Sequence, residues 1–168
     1  MIKFNWAYDI FKSFDFSDAL SSYLNLAINI VVLIIVAYIL DYLFKKLFII
    51  FLAIVAARTK SSFDDFLVAN KTAKYLAHLV PLLFIYKTVP VILKNFTYWE
   101  YIFEKGIKIY IIILSLWITR SIFNSLRDYL KQKPRFSDKP IDSYIQVIML
   151  FLWIFGVTSF VLILFDVS

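Results

Sequence analysis

The chain has 168 residues, of which 62% are hydrophobic and 20% aromatic, and its mean hydropathy of +0.79 is far from the near balance of apolar and charged residues in soluble domains. The formal charge is +6, but most of its 18 Lys and Arg stand within a few positions of apolar runs, so orientation in a bilayer explains them better than nucleic acid does. Two glycines, four prolines and no recurring ten-residue alternation exclude a β-barrel, and the absence of cysteine excludes disulfides, iron–sulfur clusters and thiol catalysis.

The expected fold is therefore all-α: a polytopic membrane protein with four transmembrane helices and an amino-terminal interfacial helix. Residues 1–22 mix aromatic side chains (Phe4, Trp6, Tyr8, Phe11, Phe14, Phe16) with Lys3, Asp9, Lys12, Asp15 and Asp18. They never reach an uninterrupted apolar run, so they read as a short helix in the headgroup region and not as a cleavable signal peptide.

The first span, 23–40, is just long enough for a hydrocarbon core of about 30 Å. Asn25 and Asn29 share one of its faces, available to a neighbouring helix or to headgroups. Asp41, Lys45 and Lys46 follow as a polar notch, with Asp41 placed to pair with Lys45 one turn on. The apolar run 47–57 is too short to span, so it reads as a continuation of the same helix, giving one element of roughly 50 Å from Tyr23 to Ala57.

A charged corner then turns the chain around. Ser62 and Asp65 form a capping pattern, and Asp64 adds negative charge at the positive end of the new helix. That helix is expected to run back through the second span, 76–93, and to bend at Pro81 and Pro90. Lys87 lies close enough to the end of the run to snorkel. Residues 94–105 read as an interfacial loop with Tyr98, Trp99 and Tyr101 in the aromatic belt.

The third span, 106–126, carries Ser115 and Thr119 one turn apart, a spacing that lets helices approach closely. Arg120, near its inner end, either snorkels or pairs with Asp142 at the start of the fourth span, 141–165. In that last span Gly156 and Ser159 mark a helix contact. The stretches 41–75 and 127–140 hold eleven Lys and Arg, against four in the amino-terminal arm and 94–105, so both termini are expected outside the cytoplasm.

No enzyme site is legible. Adjacent Asp64 and Asp65 point about 100° apart on a helix and have no second acidic cluster to complete a metal or catalytic site. His78 is the only histidine, so a two-histidine metal site or a histidine relay cannot be built within one chain, and packing or an interfacial hydrogen bond is its expected role. No phosphate-binding glycine loop and no nucleophile elbow occur, and no cofactor or metal is expected.

Three stretches, YLNLAINIVVLIIVAYILDYLFKK (23–46), TKSSFDDFLVANKTAKYLAHLVPLLFIY (59–86) and KPIDSYIQVIMLFLWIFGV (139–157), together resemble extended members of the small-conductance mechanosensitive channel family, the MscS-like group that includes the miniconductance YbdG type. The resemblance covers only the amino-terminal membrane part of that family. It implies helical-hairpin paddles that sense bilayer tension, a bacterial inner membrane location and assembly as a homo-oligomer, heptameric in the family pattern. The family's Gly- and Ala-rich pore helix and cytoplasmic β-domain have no counterpart here, so the expectation is a truncated sensor portion with no pore residue to carry over. The alternative is an integral-membrane scaffold or accessory subunit that packs on a partner through Ser115, Thr119, Gly156 and Ser159.

Overall fold

A computed structural model describes residues 5–58, 63–136 and 139–166, and it contains helices and turns with no strand among them. The helices are α1 (Trp6–Ser13), α2 (Asp18–Arg58), α3 (Phe63–Ala69), α4 (Thr72–Ala77), α5 (Leu79–Ile92), α6 (Thr97–Lys131) and α7 (Ile141–Leu164), with one 3-10 turn at Pro134–Phe136. Four stretches are long and apolar enough to cross a membrane: Asp18–Val55, Thr72–Ile92, Thr97–Lys131 and Ile141–Leu164. The protein is membrane-embedded and its spans are helical, because each backbone group in lipid needs a partner within its own segment.

The short amino-terminal helix ends where Asp15 takes a left-handed conformation, φ 65°, and the chain re-enters a helix at Asp18. From there α2 runs 41 residues, about 60 Å, through the polar notch without a break. It contains neither proline nor glycine, and Asp41 pairs with Lys45 on its own surface, so the notch offers nothing that would interrupt it. The expected continuation of the first span past Leu40 therefore holds.

Two expectations are corrected. Residues 94–105 are not a loop: Phe96 N–H bonds the Leu93 carbonyl in a tight turn, and α6 begins at Thr97. With no helix breaker between 97 and 105, this aromatic segment forms the first turns of a 35-residue helix that continues to Lys131. The return leg after the corner is likewise not one helix, but three pieces interrupted at Asn70–Lys71 and at His78.

Helix α2 lies against α3, α4 and α5, and these pack in turn on α6. Leu33, Leu82, Val89, Leu93, Ile107 and Leu114 form the dry centre where α2, α5 and α6 meet. Helix α7 packs on α6 and buries only Ile141, Ile145 and Gly156, leaving large side chains such as Leu150, Phe151 and Phe155 exposed around its circumference. An apolar surface on all sides suits a helix whose solvent is lipid.

The helices alternate in direction, which sets the two ends. At one end Lys105 Nζ lies 2.6 Å from Asp166 Oδ2, and the Tyr23 and Phe96 rings meet at 5.5 Å. At the other, Phe63 and Tyr129 meet at 5.6 Å and Lys131 Nζ reaches Asp142 Oδ2 at 2.7 Å. The basic stretches around 71–74 and 127–139 thus share one end.

Candidate functional site: a polar hinge on the second span

The first interruption is built by local chemistry. Lys71 is left-handed, φ 62°, a conformation uncommon for a residue with a Cβ, and Asn70 just before it ties the break down through its side chain. Asn70 Nδ2 donates to the Phe66 carbonyl and to Asp128 Oδ2, both at 3.0 Å. The break frees the Asn70 carbonyl, because Lys74 N–H turns to the Lys71 carbonyl instead, and a freed carbonyl is costly in an apolar surround. Helix α6 faces the break with two small hydroxyl residues spaced by four.

Ser121 Oγ donates to the Asn70 carbonyl at 2.7 Å and lies 2.7 Å from Thr72 Oγ1, while Ser125 Oγ lies 3.0 Å from the Phe66 carbonyl. Thr72, Ser121 and Ser125 are all buried. Their small volume lets the backbones of α3 and α4 approach α6, and the Ser121 hydroxyl replaces the missing helical donor at the Asn70 carbonyl, while the Phe66 carbonyl keeps its own, Asn70 N–H at 2.9 Å. Asn70, Thr72, Ser121, Ser125 and Asp128 were not singled out in the sequence; the Ser-x-x-x-Ser spacing on α6 was the available signal.

The second interruption is gentler. His78 keeps a right-handed conformation and its N–H turns back to the Tyr75 carbonyl at 3.2 Å, one residue short of the α-helical partner. Pro81, buried three residues later, has no N–H to offer the Ala77 carbonyl, so the ladder loosens there. Pro90 sits in the last turn of α5, two residues before its end at Ile92.

Opposite this loosened turn stands α2. His78 Nδ1 is 2.6 Å from Asp41 Oδ1, and the other carboxylate oxygen of Asp41 pairs with Lys45. All three side chains are largely buried, and Asp41 Oδ1 has no well-directed hydrogen bond. The cluster is an electrostatic latch between α2 and the α4–α5 junction, close to one membrane boundary: Asp41 stands eighteen residues, about 27 Å, along α2 from Tyr23.

The other sequence-predicted residues fall as follows. Ser62 and its capping role lie outside the described residues; Asp64 and Asp65 lie in the first turn of α3, with Asp65 exposed. Arg120 is exposed and does not pair with Asp142, which instead bonds Lys131 at 2.7 Å and lies 3.9 Å from Arg127. The start of α7 therefore lies over 127–131 and not over Arg120. Gly156 is buried, and a Cβ there would stand 2.6 Å from Leu116 Cδ1, so it does mark a helix contact.

Ser115 and Thr119 lie outside the packed contacts of α6 within this chain. Thr119 Oγ1 donates to the Ser115 carbonyl at 2.8 Å, spending the hydroxyl within α6, and Ser115 is exposed. Asn25 bonds across helices, its Oδ1 accepting from Tyr8 N–H at 3.2 Å.

No family model, curated protein or solved structure matches this chain. Function has to be argued from the hinge itself. Among the described residues no group of three or more His, Asp or Glu side chains is placed to hold a metal ion. What the arrangement provides is a helix broken twice, held to α6 by hydroxyls and to α2 by one latch.

Proposed function

We propose that the chain is a tension-sensing membrane module of the MscS-like kind, in which α2 and the broken leg α3–α5 form a paddle that changes its angle with the load in the bilayer. The observation that carries this reading is the double interruption at Asn70–Lys71 and His78, bridged by exchangeable polar contacts. A continuous helix resists bending, whereas a helix whose freed Asn70 carbonyl is satisfied by the Ser121 hydroxyl can trade that donor between two arrangements. Tension supplies the differential free energy, because it favours whichever arrangement occupies more membrane area. In this reading the basic end around 71–74 and 127–139 faces the cytoplasm of a bacterial inner membrane, and copies of the chain assemble as a homo-oligomer.

The accessory-subunit alternative loses one of its docking residues, since Leu116 of the same chain occupies the space at Gly156.

The test is a distance measurement between spin labels on cysteines introduced at Ile49 and Val68, exposed positions on α2 and α3, in liposomes. Adding lysolipid to one leaflet should shift that distance by several ångströms, while a control pair at Val32 and Tyr42 within α2 stays constant. An unchanged Ile49–Val68 distance up to lytic load would refute the proposal.

A further inference from the structure

A cleft of about 400 Å³ opens between α6 and α7 near their joined end. Its polar wall is Arg120, Asn124, Arg127, Asp142 and Gln146. Arg127 is engaged by Asp128 at 3.0 Å and lies near Asp142, and Asp142 is neutralised by Lys131. Arg120, Asn124 and Gln146 have no hydrogen-bond or ion-pair partner among the described residues. Three cations against two carboxylates leave one positive charge over, and Arg120 is the side chain that carries it.

The α7 wall is apolar. Met149, Leu150 and Trp153 line it, with Leu150 60% and Trp153 45% exposed. Trp153 lies eleven residues, about 16 Å, along α7 from Asp142, and Arg120 lies eleven residues along α6 from Lys131, the partner of Asp142, so guanidinium and indole stand at about the same level of the antiparallel pair. An unpaired guanidinium there calls for an anion, and the apolar wall beside it calls for a chain attached to it.

We infer that this cleft holds the phosphate of an anionic phospholipid, with Arg120 as its principal donor, Asn124 and Gln146 as secondary hydrogen-bonding groups, and an acyl chain running from Trp153 along α7 toward the bilayer centre. Basic pockets between transmembrane helices take lipid headgroups by this combination of charge and depth. The guanidinium fork matches two phosphate oxygens at once. A soluble phosphate would satisfy the polar wall and leave the apolar wall bare. The inference is independent of tension sensing, since it uses neither the hinge nor the latch.

The experiment is quenching of Trp153 by brominated phospholipids in liposomes, taken as the difference between the full chain and its Trp153→Phe variant. Brominated phosphatidylglycerol should outcompete brominated phosphatidylcholine by about fivefold, the gain expected from one basic side chain at an anionic headgroup. Arg120→Gln should bring the ratio to about one, and Arg120→Lys should retain part of it, with helicity by circular dichroism confirming that both variants fold. Equal quenching by the two lipids would overturn the assignment, as would selectivity that survives Arg120→Gln. Loss of selectivity on adding inorganic phosphate at constant ionic strength would overturn it in favour of a soluble anion.

Discussion

His78 and Asp41, thirty-seven positions apart in the chain, face each other at 2.6 Å where the loosened turn between α4 and α5 crosses α2. Lys45 closes the same carboxylate from its other side. This is the one place where an ionisable pair ties the long first helix to the broken return leg among the described residues, so the register of the two legs depends on it.

Removing one partner leaves a largely buried group without its counter-group. His78→Leu should therefore destabilise the folded chain by about 1 kcal/mol, and Asp41→Leu by a similar amount. The double variant should cost less than the sum, because neither polar group is then left behind. Thermal unfolding in detergent reads all three, and strictly additive losses would mean that the contact has no energetic weight.

The hydroxyls of α6 make a separable prediction. Ser125→Ala removes one donor from the Phe66 carbonyl, which Asn70 continues to serve, and should cost well under about 1 kcal/mol. Ser121→Ala strips the Asn70 carbonyl and deprives Thr72 of its partner together, and should cost about twice as much. Amide hydrogen exchange at residues 70–73 should accelerate in the Ser121 variant and stay near wild type in the Ser125 variant.

At Gly156 the obstacle is a flexible tip. A methyl group there would meet Leu116 Cδ1 at 2.6 Å, and the leucine can swing away, so Gly156→Ala should cost only about 1 kcal/mol. Gly156→Leu should push α7 off α6 and lower the unfolding temperature clearly further. Combining either with Leu116→Ala should recover part of the loss; a rescue that fails would show that the two residues do not share the space.

Acid should loosen the opposite end of the same helix pair. The Lys105 ammonium and the Tyr101 hydroxyl hold the Asp166 carboxyl below its ordinary range. A depressed folded-state value means that this latch is fully present above about pH 4 and is lost as pH falls through the depressed value. A spin label at Phe165 should become more mobile only on that acid limb, and Asp166→Asn should make its mobility independent of pH.

Orientation is read by labelling. With no native cysteine, Lys133→Cys should be shielded from an impermeant thiol reagent in intact cells and Thr97→Cys should react. The reverse pattern would invert the proposed sidedness.

How much of this was legible beforehand follows from where each signal lives. The unbroken run of α2 through the notch was readable because a helix without proline or glycine, with Asp41 and Lys45 one turn apart, has no local reason to stop. The extent of α6 was misjudged because aromatic and charged residues at 97–105 look like an interfacial loop, yet none of them breaks a helix. The turn at Asn70–Lys71 was passed over because Asn is a weak signal by itself, and only its bonds to Phe66 and Asp128 make the break tolerable.

By itself, the sequence determined that the chain is helical and membrane-embedded, where its apolar spans lie, and that its basic charge gathers in alternate connections. These are properties of single segments against lipid or water, and each segment carries its own information. Only the tertiary structure decided that Asp142 meets Lys131 and not Arg120, that His78 meets Asp41, and that Ser121 and Ser125 lie over the broken turn. Those pairings depend on the vertical offset between helices. Lipid is as apolar as a neighbouring helix, so apolar surface barely specifies that offset; it is set by the few polar groups that must find partners once the spans are side by side.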